Sequence, residues 1–134
     1  MEIIDYYDKY FLDYALEIAE QSTCIKRKHG AVIVKNRVVI SVGFNGAPIG
    51  EESCAEIASC LRSEANVIAG ERWDLCRAVH AEMNAIIKAS FDEMKGATIY
   101  VAGFNAETGE RCESYPCAMC YRAIKNAFIG KVIY

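Results

Sequence analysis

Two short motifs restrict the fold of this chain more than anything else in it. They are His80-Ala81-Glu82 in the middle and Pro116-Cys117-Ala118-Met119-Cys120 near the end. Two cysteines separated by two residues at a helix start can aim both sulfurs at one ion, and a distant histidine supplies a third ligand. Pro116 sits where a helix begins, since proline gives up no hydrogen bond in the first turn. A fold that serves both motifs must therefore bring two helix starts to one point. Three protein ligands leave the fourth tetrahedral position open, the arrangement of catalytic rather than structural zinc. The partial positive charge of a helix N-terminus also favours thiolate over thiol. Glu82, two residues past His80, can reach the open position without being a ligand. Alone, a Cys-x-x-Cys is more often a structural zinc half-site, and a His-x-Glu arises by chance. Their combination, order and proline point to one catalytic Zn(2+) per chain, held by His80, Cys117 and Cys120.

The rest of the chain reads as a single domain over residues 1–134. Ile4, Tyr7, Phe11, Tyr14, Ala15 and Ile18 form one helical stripe. Ala31-Val32-Ile33-Val34 and Val38-Val39-Ile40-Ser41-Val42 flank a short polar turn, and two such β-branched runs predict a hairpin. Residues 49–78 are less readable, with helix-forming composition between Glu52 and Asn66. Val79, Met83, Ile86, Ile87 and Ser90 or Phe91 give a helical face that Gly96 stops. A strand over residues 97–101 follows, then a polar loop over 104–115, a helix from Cys117 to about Asn126 and a last strand over 131–134. The order α-ββ-α-β-α-β predicts an α/β fold, a mixed sheet covered by helices.

Composition enters through the thiols and the charge. Seven cysteines stand beside two histidines, an odd and unevenly spaced set that does not suit a secreted disulfide framework. The acidic N-terminus shows no targeting pattern and no window reaches the roughly 20 apolar residues of a membrane span. The expectation is a reduced, cytoplasmic protein without a membrane partner. A net charge of −3, from 18 acids against 15 bases, argues against a dedicated nucleic-acid binder.

On these residues the chain resembles the cytidine and deoxycytidylate deaminase superfamily, and most closely its deoxycytidylate (dCMP) branch. The stretches that carry the resemblance are His29-Gly30-Ala31-Val32-Ile33-Val34, Gly43-Phe44-Asn45-Gly46-Ala47-Pro48-Ile49-Gly50, His80-Ala81-Glu82-Met83-Asn84-Ala85-Ile86-Ile87 and Pro116-Cys117-Ala118-Met119-Cys120. They fall in order across nearly the whole chain. The resemblance implies a three-layer cytidine-deaminase-like fold, with a β-hairpin plus parallel strands flanked by helices. It implies zinc on His80, Cys117 and Cys120, and Glu82 as the catalytic proton shuttle between water, the ring N3 and the departing amine. It also implies substrate contacts from Asn45, in the loop after the hairpin, and from the backbone of Ala81. Taken alone, Asn45 is equally a turn-forming residue beside glycine.

The substrate must be read outside the shared zinc apparatus. Lys26-Arg27-Lys28 packs three cations before the first strand. This is either a solvated connection or a phosphate cradle, since arginine offers a planar fork to phosphate oxygens. The resemblance favours the cradle, with Arg27 first, Lys26 beside it and Ser22 or Thr23 adding a hydroxyl. The long segment between Gly50 and His80 is characteristic of the dCMP branch, whereas tRNA deaminases run almost directly into the His-Ala-Glu motif. It carries Cys54, Cys60 and Cys76, either buried small residues or ligands of a second, structural zinc. Cys24 and Cys112 read as incidental. Phe44 stands where many relatives have tyrosine, which weighs against the nucleotide regulation of some members. The final strand would expose an edge, and a homo-oligomer, dimer or hexamer, would cover it. The expected activity is conversion of dCMP to dUMP and ammonia. The alternatives are a deaminase of free nucleosides or of nucleic-acid bases, and an idle zinc-stabilised binding module, against which the retained Glu82 argues.

Overall fold

The protein, as a computed structural model, is described over residues 5–66, 76 and 78–134. Helix α1 (Tyr6–Ala19) is capped by Asp5, whose carboxylate accepts from the Asp8 N–H at 2.8 Å. Strands β1 (Arg27–Lys35) and β2 (Val38–Phe44) form the expected antiparallel hairpin, each longer than its apolar run. Asn36 and Arg37 make its turn at φ 52° and 64°, the paired left-handed geometry that matches the twist of a tight hairpin. The Arg37 guanidinium lies 3.8 Å over the Tyr7 ring, a contact that helps hold this residue in a conformation non-glycine residues avoid.

Short helices α2 (Cys54–Ile57) and α3 (Leu61–Glu64) follow, then α4 (Ala81–Lys88) and α5 (Phe91–Met94). The single helix expected from Val79 onward is in fact interrupted. Ala89 turns extended at φ −94° and ψ 158°, and the Ser90 hydroxyl restarts a helix by accepting from the Glu93 N–H at 3.3 Å. Strand β3 (Thr98–Asn105) extends the strand expected over residues 97–101 into Phe104 and Asn105, where a polar loop was expected to begin, and β4 (Arg111–Cys112) returns along it. Helix α6 (Ala118–Asn126) and strand β5 (Lys131–Ile133) complete the chain.

The sheet order is β2-β1-β3. The far edge of β3 is shared between β5, parallel along Thr98–Tyr100, and β4, antiparallel along Gly103–Phe104. The two faces are covered separately. Phe11, Leu12, Ala15 and Ile18 of α1 pack on Val32, Val34, Tyr100 and Ala102. On the other face Ala81, Ala85, Met94, Ile124 and Ala127 pack on Ala31, Ile33, Ile99 and Val101. The alternation along β1 and β3 is the period-two pleat with both faces buried. The result is the three-layer, helix-flanked mixed sheet expected. Two glycines set the layer spacing: a Cβ at Gly30 would collide with the carbonyl of Ala15, and one at Gly43 with the carbonyl of Ala81. Among the described residues no helix is long and apolar enough to cross a membrane.

Candidate active site

His80 and Cys117 are both N-cap residues, of α4 and α6, in extended backbone at φ −66°, ψ 150° and φ −64°, ψ 167°. Each side chain therefore leaves the chain at the positive end of a helix. The approach to His80 is fixed by backbone. Val79 and Gly46 exchange hydrogen bonds of 2.7 and 3.2 Å, which ties the loop after β2 to the start of α4. The Asn84 carboxamide donates to the carbonyls of Phe44 at 2.8 Å and Val79 at 3.4 Å, closing the same seam from the helix side. Cys117 accepts from the Cys120 N–H at 3.5 Å, which aligns the first turn of α6.

These caps bring His80 Nδ1 to 3.6 Å from Cys117 Sγ and 3.3 Å from Cys120 Sγ, with all the ligand atoms within 4.8 Å of one another. Zinc bonds of about 2.3 Å to sulfur and about 2.0 Å to nitrogen, opened to a tetrahedral angle, separate such a pair by about 3.5 Å. The two observed separations bracket that value, so the nitrogen and two sulfurs fit one zinc ion. Burial, then the Glu82 carboxylate and Cys117, push the Cys120 thiol far above the ordinary range. A divalent cation among these groups reverses that balance, because a coordinating thiol is deprotonated outright.

Glu82 lies in the first turn of α4 and is only 6% exposed. Burial raises its pKa, while its own backbone N–H, His80 and the Cys120 side chain pull the other way. The carboxylate and the Cys120 thiol each perturb the other, which sets Glu82 beside the cluster. A carboxyl group with a raised pKa, touching a site with an open metal position, is suited to take and return a proton near neutral pH.

The other expected site residues fall into two groups. Ala81 is buried under the cluster, and as the first helical residue its N–H has no intrahelical acceptor. Arg27 and Lys26 are exposed at the entrance to β1, and Arg27 shares its face of the sheet with Ala31 and Ile33, the face that carries α4. Asn45 and Ser22 are held differently. Asn45 Oδ1 accepts from the His29 N–H at 2.8 Å and Nδ2 donates to the Arg27 carbonyl at 2.9 Å, so the carboxamide continues the β1–β2 ladder. Only one N–H and one lone pair of that side chain remain for a ligand. The Ser22 hydroxyl donates its only proton to the Asn45 carbonyl at 2.7 Å, within a buried loop junction. Among the described residues, His80, Cys117 and Cys120 are the only group of three or more side chains gathered as a metal site. Cys54, Cys60 and Cys76 are not in such a group, and much of the segment between them and His80 lies outside the described residues.

Sequence reasoning passed over Asn84, although its spacing of four residues from His80 marks it as a neighbour on the same helix face. It also gave no role to His29, whose partners are distant in sequence.

Comparison with known proteins adds an independent line. The model of the cytidine and deoxycytidylate deaminase zinc-binding region matches residues 5–134. The chain is 36% identical over 133 residues to the deoxycytidylate deaminase of Mycobacterium phage D29, covering 96% of this chain and 93% of that protein. It is 33% identical over 129 residues to the deoxycytidylate deaminase of Schizosaccharomyces pombe, where it covers 96% of this chain but spans only 36% of the relative's length. Among solved structures, the dCMP deaminase of cyanophage S-TIM5, crystallised with dCMP and dUMP, superimposes with a TM-score of 0.65 at 22% identity. That superposition covers 98% of this chain and 82% of the other, and it speaks to the fold.

Proposed function

Because this chain belongs to the cytidine and deoxycytidylate deaminase family, we propose that it hydrolyses dCMP to dUMP and ammonia as a zinc-dependent enzyme. The observation that carries the reading is the cluster of His80, Cys117 and Cys120 with the Glu82 carboxyl beside it. Near-full-length similarity to a phage deoxycytidylate deaminase supports the choice of nucleotide. His80 Nδ1 and the two thiolates hold one zinc per chain. When bound, the metal supplies Lewis-acid chemistry, lowering the pKa of water toward roughly 7.

The chain's own residues do the rest. Glu82 takes the proton of the attacking water and delivers it to N3, which makes C4 electrophilic. After the C–O bond forms at C4, Glu82 passes the second proton to the amine as the C–N bond breaks, so water and dCMP become dUMP and ammonia. Burial keeps that carboxyl from leaking its proton to bulk water. The Ala81 N–H faces the pyrimidine, and Asn45 keeps one donor for the substrate. Arg27, with Lys26, meets the 5′-phosphate at the exposed end of β1. Ser22 acts one step back, by holding the Asn45 carbonyl. The domain works in the cytoplasm as a homo-oligomer, dimer or hexamer, on a small-molecule substrate rather than a nucleic acid.

Ammonia release measured across dCMP, CMP, dCTP, deoxycytidine and cytosine tests the proposal. dCMP is expected to give the highest kcat/KM, and a preference for deoxycytidine would overturn the phosphate contact. The Glu82→Gln variant is expected to retain zinc and lose turnover by about 10²–10⁴-fold. Near wild-type turnover in that variant would remove the shuttle.

A further inference from the structure

Arg27 and the metal cluster stand at two ends of one face of the sheet, and His29 lies between them. Alternate residues of a strand share a face, so Arg27, His29, Ala31 and Ile33 all point toward the α4 layer. Ala31 and Ile33 meet Ala81 and Ala85 there. His29 is thus one pleat, about 7 Å, inward from Arg27.

The ring of His29 is held from two sides. Gly103 is opposite it on β3, and a Cβ at that position would collide with His29 Nδ1. Nδ1 lies 3.3 Å from the hydroxyl of Ser114, a residue only 6% exposed. That hydroxyl is 3.3 Å from the carbonyl of Cys112, to which it donates. A hydroxyl has one proton, so Ser114 accepts from the imidazole, which fixes the histidine proton on Nδ1 and leaves a lone pair on Nε2. Burial, Arg27 and His80 lower the His29 pKa to about 4, so the ring is neutral at physiological pH. Among the described residues Nε2 has no hydrogen-bond partner. Among the described residues no buried side-chain polar atom lacks a partner, so Nε2 is open to solvent. A half-buried ring with one nitrogen anchored and the other open is arranged to receive a donor.

A 2′-deoxynucleoside 5′-monophosphate limits what that donor can be. Its amine and its protonated N3 belong at the metal end, and its phosphate oxygens accept. The single remaining donor is the 3′-hydroxyl of the sugar, which lies between base and phosphate as His29 lies between cluster and Arg27. We propose that His29 is a specificity-determining residue whose Nε2 accepts a hydrogen bond from the sugar 3′-hydroxyl, with Ser114 fixing the ring and its tautomer. This assignment rests on the reading of the substrate as a cytosine nucleotide.

The test compares dCMP with 2′,3′-dideoxycytidine 5′-monophosphate in the zinc-loaded enzyme. The wild type is expected to prefer dCMP by about tenfold in kcat/KM, the weight of one well-placed hydrogen bond. His29→Val is expected to retain zinc by elemental analysis while the preference collapses to within about twofold. His29→Gln, whose carbonyl still accepts, is expected to restore part of it, and Ser114→Ala to lower it while the imidazole remains. An unchanged preference in both His29→Val and Ser114→Ala would overturn the assignment, as would a wild type indifferent to the 3′-hydroxyl. If the wild type turns over neither nucleotide but deaminates another cytosine compound, the substrate reading fails first and takes this assignment with it. That outcome is recognised in the wild type alone, before any variant is made.

Discussion

The two faces of the central sheet are built from alternate residues of the same strands, yet they do different things. Toward α1, β1 presents Gly30, Val32 and Val34, and the layer is closed by Phe11, Leu12, Ala15 and Ile18. The polar pair there is Tyr100 donating to Asp8 at 2.7 Å, both side chains buried. Toward α4 and α6, the same strand presents Ile33 and Ala31 in the core, then His29 and Arg27 as it nears the surface. One face is packing from end to end. The other changes along its length from packing to chemistry, and the change falls where the helix starts of α4 and α6 converge. The lesson is that the strand register, as much as the motifs, decides which residues reach the site.

Three substitutions can break or sharpen this contrast, in falling order of effect. On the chemical face, Cys120→Ala removes a proposed ligand that is fully buried at the cluster. It is expected to strip zinc and to cut ammonia release by about three orders of magnitude or more. Full zinc content in that variant would place the metal elsewhere. At the outer end of the same face, Arg27→Ala is expected to lower kcat/KM on dCMP by about 10–100-fold, the weight of a charge-assisted contact to phosphate. Deoxycytidine, without the phosphate, should be turned over as before, so equal losses on both substrates would separate Arg27 from the phosphate. On the packing face, Tyr100→Phe deletes the donor to the buried Asp8 carboxylate. The expected cost is about 1–3 kcal/mol of stability, read as a lower melting temperature, with kcat/KM on dCMP within about twofold of wild type. A large loss of activity there would mean that the two faces are not separable.

Much of this arrangement was legible in local pattern. The β-branched runs around Asn36 and Arg37 give the hairpin, and the stripe from Tyr7 to Ile18 gives α1. The cysteine and histidine spacings pick out His80, Cys117 and Cys120, side chains that the structure gathers at one point. What escaped was non-local. Residues 102–105 continue β3 because Arg27, Lys28, His29 and Gly30 pair with Asn105, Phe104, Gly103 and Ala102, a partnership invisible in a sequence whose residues 104–115 read as a polar loop. The break at Ala89 is small in sequence terms because alanine is a good helix former. It is the Ser90 cap that makes two helices of one. Asn45 illustrates a different difficulty. Its neighbours Gly43 and Gly46 mark a turn, but whether a carboxamide continues a ladder or points to a ligand depends on which backbone groups across the sheet are left without partners.

The position of His80 and Cys117 at helix caps has a consequence for how the protein is assembled. Their backbones are set by Val79 pairing with Gly46 and by the first turn of α6, bonds that form as the chain folds and involve no ion. The conformational entropy of bringing these ligands together is therefore met by the sheet and helices. A small zinc finger has no such frame and depends on its metal for it. The side chains gathered at the two helix starts are thus held by the same backbone bonds that hold the fold.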